Sequence, residues 1–163
     1  MYATREDIRK AAGTLITCGF GGLSIDAELK EVMREVQPAG LILFKRNIES
    51  PEQVAELGRE LKLYRPENPV ALSVDQEGGR VARIREPATV WPPMKILGDI
   101  GDPELCFRFG QALGREVRAM NFDIDYSPVL DVNSNPDNPI IGDRAFSESH
   151  EIVANCGAAV VKG

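Results

Sequence analysis

The sequence predicts an α/β fold made of parallel β/α units. Four short apolar segments are each followed by a segment with helical periodicity, and the strand candidates are apolar throughout instead of alternating with polar residues. Strands of this kind are buried in parallel sheets covered by helices. A closed barrel needs eight such units and a doubly wound open sheet needs fewer, so periodicity leaves both architectures open. Neither a repeat nor a linker interrupts the chain, and we expect residues 1–163 to form one domain.

The first half of the chain contains a leading helix and two strand–helix units. Thr4 to Asp7 has the form of a capping box and starts the leading helix. The first strand candidate is Thr14 to Cys18 and the second is Gly40 to Phe44, after which Ser50 and Pro51 start a further helix. The apolar residues at helical spacing are Ile8, Ala11, Ala12 and Leu15, then Leu29, Val32, Met33 and Val36, and then Val54, Leu57, Leu61 and Tyr64.

The second half contains two further units with longer loops. The third strand candidate is Val70 to Val74, followed by a long loop through Trp91 and a helix near Pro103 to Met120. The fourth unit has apolar pieces at 122–124 and 128–130, a polar loop at 131–146 and a last helix. The apolar faces of the two helices are Leu105, Phe109, Ala112, Leu113 and Val117, and Ile152, Val153, Cys156, Ala159 and Val160.

Composition excludes several classes of partner. The formal net charge is −6 and the basic residues are scattered, so we expect no nucleic acid partner. No apolar run approaches the roughly 18 residues of a membrane span, and residues 1–10 are charged from Arg5 on, unlike a signal peptide, so the expected location is the cytoplasm. Three widely spaced cysteines, Cys18, Cys106 and Cys156, indicate neither a disulfide framework nor a zinc site.

The strongest candidate for a site lies at residues 73–83. Two acids, Asp75 and Glu77, follow the third apolar strand and precede two glycines and two arginines, the second of which is Arg83. Strand ends are rigid places for polar groups, and acids combined with arginines suit a polyhydroxylated ligand such as a sugar. The alternative is a purely structural salt bridge between Asp75 and Arg83.

Three other motifs favour ordinary structural roles. The Gly19 to Ser24 segment lacks the third glycine of a dinucleotide fingerprint, so a plain glycine turn is the better interpretation. The loop from Asp131 mimics the start of a calcium-binding EF-hand, but Pro136 replaces its glycine and Gly142 its final glutamate. His150, the only histidine, stands at the entrance to the last helix and is expected to be solvated.

Four motifs together resemble the amino-terminal barrel domain of glycoside hydrolase family three, in its bacterial β-N-acetylglucosaminidase branch, which acts in cell-wall recycling. They are Gly40 to Asn47, Val74 to Val81 with Arg83, Ser127 to Val132, and Ile140 to Phe146. The resemblance spans nearly the whole chain. It implies a TIM-type (β/α)8 barrel, here roughly its first four units, with a sugar pocket at the carboxyl ends of the strands.

The resemblance also implies site residues and a mechanism. Asp75, Arg83 and Arg144 match the family's substrate ligands. The family is retaining, with an aspartate nucleophile and, in this branch, a loop histidine as acid/base, and both belong downstream of Gly163. We therefore expect no catalytic residue within the chain, no activity of the 163 residues alone, and no metal or organic cofactor.

Partners and alternatives follow from the same resemblance. The expected ligand is an amino sugar or oligosaccharide, and the missing carboxyl-terminal half of the barrel or a second copy would complete the fold. A non-catalytic sugar-binding or assembly half-domain and a β-glucosidase specificity stay open. An open-sheet nucleotide-binding domain would use the Gly19 to Ser24 loop but would explain neither the acid-rich strand end nor Arg144.

Overall fold

The computed structural model describes residues 4–163, which divide into two compact units. Unit 1 contains the described residues up to Val74 together with Met120–Ile124, and unit 2 contains Asp75–Ala119 and Asp125–Gly163.

Unit 1 is built on a parallel sheet. The strands are β1 (Thr17–Gly19), β2 (Gly40–Leu43), β3 (Ala71–Val74) and β6 (Ile124–Asp125, of which Asp125 is counted with unit 2), and the helices are α1 (Arg5–Gly13), α2 (Ala27–Glu35) and α3 (Pro51–Tyr64). The strand order is β1, β2, β3 and β6, and the two pairs β1–β2 and β2–β3 are parallel, with Thr17 opposite Gly40 and Gly40 opposite Ala71. This confirms the predicted parallel β/α class.

The apolar faces predicted for α2 and α3 form much of the core of this unit. Strands β2 and β3 are buried along most of their length, which is why they lack polar alternation. The helices contribute the residues that the 3.6 periodicity selects. The fully buried side chains include Leu29, Met33, Leu41, Leu43, Val54, Leu57, Leu61, Leu72 and Val74.

Each helix of unit 1 begins at a polar cap. Thr4 and Asp7 form the predicted capping box of α1. Asp26 accepts the backbone N–H of Leu29 at the start of α2, and Ser50 accepts that of Gln53 at the start of α3. Such caps satisfy backbone donors that the first helical turn leaves unpaired.

Unit 2 contains a hairpin, three α-helices and a short 3₁₀ helix (Gly142–Arg144). Strands β4 (Gln76–Gly78) and β5 (Val81–Ala82) are antiparallel, and the helices are α4 (Met94–Ile100), α5 (Pro103–Ala119) and α6 (His150–Lys162). Helices α5 and α6 pack closely, since a Cβ at Gly110 would lie 2.1 Å from the carbonyl oxygen of Val160. Trp91 packs edge-on against Phe109 and donates its indole N–H to Glu116.

Several boundaries differ from the prediction. Strand β1 starts at Thr17 and not at Thr14, because α1 extends to Gly13 and Thr14 caps it. Tyr64 is 40% exposed as the last residue of α3, and Ile8 and Leu15 are 60% and 87% exposed. The stretch after β3 that we expected to be a loop contains the hairpin β4–β5 and helix α4.

Among residues 4–163, no helix is both long enough and apolar enough to span a bilayer.

Candidate functional site

The candidate site is built on the hairpin that follows β3. Asp75 is the first residue after β3, and Gln76 begins β4. A register shift between Gln76 and Gly78 makes the hairpin irregular, and the backbone turns at Gly78 with φ of +93°. A Cβ at Gly78 would lie 2.2 Å from the carbonyl oxygen of Pro92, so both the turn and the close approach require glycine.

The buried side chain of Gln76 fixes the return strand of the hairpin. Its Oε1 accepts the backbone N–H groups of Arg83 and Ile84 at 2.9 and 3.0 Å, and its Nε2 donates to the carbonyl of Ile84 at 2.8 Å. A buried amide with its donors and acceptors used in this way holds its partners in one geometry. Gln76 thereby determines where the backbone of Arg83 lies.

Asp75 and Arg83 form the first ion pair of the site. Nη2 of Arg83 donates to Oδ2 of Asp75 at 2.7 Å. The two side chains are 22% and 27% exposed, so each keeps a surface that a ligand can reach. The salt bridge considered from the sequence is therefore formed, and it leaves both groups accessible.

Glu77 and Arg144 form the second ion pair. Nε and Nη2 of Arg144 donate to the two carboxylate oxygens of Glu77, both at 2.8 Å, in a bidentate arrangement. Glu77 is 6% exposed, whereas Arg144 is 22% exposed. The hydrogen-bonded ion pair with Glu77 raises the pKa of Arg144. The arginine stays charged, and its position depends on the hairpin.

Asp125, at the end of β6, is a residue of this site that the sequence analysis did not select. Its Oδ1 accepts the backbone N–H of Gln76 at 2.9 Å. Burial raises the pKa of Asp125 to about 7; the bond from Gln76 opposes the shift, and the charges of Asp75 and Glu77 add to it. An acid directly after the fourth apolar strand, as Asp75 follows the third, was the available signal.

The structure brings the three predicted ligands onto one unit. Asp75 and Arg83 are in direct contact, and Arg144 joins them through Glu77, two residues from Asp75. The arrangement offers guanidinium donors and carboxylate acceptors side by side, which suits the hydroxyl groups of a sugar. Residues 4–163 contain no group of three or more His, Cys, Asp or Glu side chains placed to hold a metal ion.

The motifs set aside in the sequence occupy structural positions. Asn47 and Arg46 donate to the carbonyl of Phe20, and Asn47 also donates to that of Gly22, so side chains hold the glycine turn through its carbonyl groups. Helix α2 begins only at Ala27, with a carboxylate as its cap, which disfavours a phosphate at that end. His150 is exposed at the start of α6, as expected.

Comparison with known proteins gives one family. The sequence model of the glycosyl hydrolase family 3 N terminal domain matches residues 8–163. A beta-hexosaminidase of Xylella fastidiosa (strain M23) is 37% identical over 155 residues, which cover 91% of this chain and 45% of the relative. A beta-hexosaminidase of Pseudomonas aeruginosa (strain LESB58) is 37% identical over 145 residues, 88% of this chain and 43% of the relative. The chain thus spans less than half the length of these curated relatives.

Solved structures agree. A glycoside hydrolase family 3 beta-N-acetylglucosaminidase from Paenibacillus sp. str. FPU-7 superposes with a TM-score of 0.91 at 37% identity, covering 95% of this chain and 30% of that one. NagZ from Neisseria gonorrhoeae, in complex with N-trifluoroacetyl-D-glucosamine, gives a TM-score of 0.84 at 31% identity, covering 91% of this chain and 46% of that one.

Proposed function

This chain belongs to glycosyl hydrolase family 3, as an N-terminal domain, and on that premise we propose that its complete gene product is a retaining β-N-acetylhexosaminidase. Its reaction removes terminal β-linked N-acetylglucosamine from cell-wall muropeptides or chitin fragments. The similarity to proteins named beta-hexosaminidase, and to a NagZ crystallised with an N-acylated glucosamine, supports an amino sugar over a neutral one.

The observation that carries the proposal is the pair of carboxylate–guanidinium contacts on the hairpin. Asp75 accepts hydrogen bonds from sugar hydroxyl groups through the part of its carboxylate that Arg83 leaves accessible. Arg83 and Arg144 donate to the sugar or to acids around it. Because both arginines are already anchored to carboxylates, binding costs little of their side-chain entropy.

We assign binding, and not bond cleavage, to the described residues. A nucleophile must be free to attack the anomeric carbon, but Glu77 has both oxygens on Arg144, and Asp125 is buried with an oxygen on Gln76. On the resemblance to family 3, we assign the aspartate nucleophile and the acid/base of the retaining mechanism to residues outside those described.

We also propose a cytoplasmic location. Cys18, Cys106 and Cys156 are all free thiols. Proteins of oxidising compartments rarely keep three unpaired cysteines, whereas reducing compartments preserve them.

Hydrolysis of a chromogenic β-N-acetylglucosaminide by the complete gene product tests the proposal. We expect turnover with retention of the anomeric configuration in the first product, and much slower turnover of the matching β-glucoside. Asp75→Ala is expected to abolish most of the activity. Asp99→Ala is the control, because Asp99 is an exposed acid of α4 that pairs only with Lys95 among its described contacts.

The 163 residues alone are expected to give no turnover. Turnover by this chain that Asp75→Ala removes would contradict the assignment of the nucleophile to other residues. If the complete gene product binds sugars but hydrolyses no glycoside, the protein is a sugar-binding module and not an enzyme. Faster hydrolysis of the glucoside would make it a β-glucosidase.

A further inference from the structure

Arg80 makes an unusual set of contacts for a residue that the proposed function does not use. It lies at the turn between β4 and β5, directly after Gly79. Its Nη1 donates to the carbonyl of Pro139 at 2.9 Å, and its Nη2 donates to those of Ile140 and Ile141 at 2.6 and 3.1 Å. Three successive carbonyl groups of one loop thus converge on one guanidinium.

The same loop carries Arg144. We call residues 138–144 the arginine loop. Nε of Arg80 also lies 3.3 Å from Oδ1 of Asp143, the loop residue directly before Arg144. The carbonyl of Ile140 accepts from Arg144 as well, at 3.2 Å. Arg80 therefore contacts the loop at residues 139–141 and again at the residue directly before Arg144.

The backbone hydrogen bonds of the arginine loop are local. The N–H of Ile140 donates to the side chain of Asn138, and that of Arg144 to the carbonyl of Ile141. The side chain of Ile140 is 66% exposed. Gly142–Arg144 forms a short 3₁₀ helix that contacts α4, whereas the carbonyl groups of residues 139–141 accept from Arg80. The guanidinium contacts of Arg80 thus hold the part of the loop that precedes this helix, where the backbone bonds are only local.

We propose that Arg80 is the positioning residue of Arg144. Two arginines cross between the hairpin and the loop in opposite directions: Arg144 reaches from the loop to Glu77, and Arg80 reaches from the hairpin to the loop. A planar fork suits this task because it donates to several acceptors at once, which an ammonium on a flexible stem does less well. Arg80 touches no substrate and acts through Arg144.

Arg85 provides a matched control. It is a second exposed arginine after the same hairpin turn, and its Nη2 donates to the carbonyl of Gly79 at 2.7 Å. Replacing Arg85 removes one positive charge, as replacing Arg80 does, but the described contact of Arg85 is with the hairpin turn and not with the arginine loop. Comparing Arg80→Ala with Arg85→Ala separates the loss of the loop contacts from the loss of one positive charge.

The first readout is independent of activity. Hydrogen exchange of the complete gene product, followed by mass spectrometry on peptides covering residues 138–144, is expected to be at least about tenfold faster in Arg80→Ala than in the natural protein. Arg85→Ala is expected to leave it unchanged. Arg80→Lys keeps the charge without the fork and should give an intermediate rate. Unchanged exchange in both Arg80 variants would overturn the proposal.

The second readout rests on the proposed function. With the chromogenic β-N-acetylglucosaminide, Arg80→Ala is expected to raise KM by about tenfold, the loss expected for charge-assisted hydrogen bonds, and to change kcat far less. In an Arg144→Ala background, the same Arg80→Ala change is expected to raise KM less than twofold, because its effect passes through Arg144. Equal increases in both backgrounds would show that Arg80 acts independently.

The two readouts separate two failures. A complete gene product with no glycosidase activity removes the proposed function, and the exchange of residues 138–144 still decides the role of Arg80. Full activity with unchanged exchange in Arg80→Ala removes the role of Arg80 and leaves the proposed function intact.

Discussion

The backbone N–H of Gln76 donates to Oδ1 of Asp125 at 2.9 Å, so the end of the fourth strand holds the residue that separates the two acids of the hairpin. Besides burial, which is the larger cause, the charges of Asp75 and Glu77 both act on the carboxyl group of Asp125 and raise its pKa, so three acids interact at this place. The proposed sugar-binding groups therefore lie beside an acid whose protonation changes near neutral pH.

Asp125→Asn is expected to make stability less dependent on pH. The pKa of Asp125 is raised from 3.8 to about 7 in the folded protein. The folded state thus holds this proton more tightly than the unfolded state, and the stability it contributes is present below pH 4 and is lost as the pH rises toward 7. Asparagine does not titrate and keeps an oxygen for Gln76.

The measurement is urea denaturation of the complete gene product and of Asp125→Asn at pH 4, 5.5 and 8. The free energy of unfolding of Asp125→Asn, relative to that of the natural protein, is expected to grow by up to about 4 kcal/mol from pH 4 to pH 8, a figure that follows from the size of the pKa shift. Asp99→Asn, an exposed acid, should show no such trend. A parallel pH profile for Asp125→Asn and the natural protein would contradict the raised pKa.

Glu77→Gln is expected to release Arg144. Glutamine keeps one oxygen acceptor but loses the charge that both guanidinium nitrogens share. Because Glu77 is 6% exposed and Arg144 is partly buried, the uncompensated cation should cost about 1–3 kcal/mol of unfolding free energy. The KM for the chromogenic β-N-acetylglucosaminide should rise as well.

Urea denaturation and KM measured on the same preparation check this prediction. Glu56→Gln removes the acid of an exposed ion pair with Arg59 and should leave both quantities unchanged. A Glu77→Gln protein with unaltered KM would contradict the expectation that the charge of Glu77 holds Arg144 in its binding position.

Gly78→Ala is expected to destabilise the hairpin. The φ of +93° is unfavourable for alanine, and the new Cβ would lie 2.2 Å from the carbonyl oxygen of Pro92, a backbone atom that cannot rotate away. We expect the free energy of unfolding to fall by about 2–4 kcal/mol.

Gly114→Ala is the matched control for the same change of residue. Gly114 lies within α5, and a Cβ there would meet no atom within 4 Å. Alanine is the better helix former, so this variant should be about 0.5–1 kcal/mol more stable. Thermal unfolding of both variants gives the comparison, and similar effects of the two substitutions would exclude the steric explanation.

Much of the fold was predictable because it depends on local patterns. The caps at Thr4 and Ser50 and the apolar runs of β2 and β3 are written in adjacent residues. The resemblance to family 3 is confirmed by a family model that matches residues 8–163, and the four strand–helix units form part of the barrel domain of that family.

The parts that were not predictable depend on distant partners. Strands β4 and β5 are too short to show periodicity, and the side chain of Gln76 holds them through residues 83 and 84. Arg80 is held by contacts with Pro139 to Asp143, about sixty residues away in sequence, and Asp125 by one with Gln76, 49 residues away. The assignment of Asp75, Arg83 and Arg144 as sugar ligands stays a prediction for the experiments above.

Asn47 is expected to contribute strongly to the stability of unit 1, because its buried side chain binds three backbone groups. It is 0% exposed, its Oδ1 accepts the backbone N–H of Phe44 at 3.0 Å, and its Nδ2 donates to the carbonyls of Phe20 and Gly22 at 3.2 and 2.8 Å. Asn47→Asp replaces that amide donor with an oxygen facing two carbonyl oxygens. The cost should be about 3 kcal/mol or more at neutral pH, because a buried charge then has no donor on that side.

Chemical denaturation at pH 7 and pH 4 measures this cost, and Asn68→Asp supplies the same chemical change at an exposed position. Protonation of the new acid at low pH restores one donor, so the deficit of Asn47→Asp relative to Asn68→Asp should shrink at pH 4. An equal deficit at both pH values would mean that the loss comes from altered packing of the turn. The two carbonyl groups would then not depend on the donor that Asn47 provides.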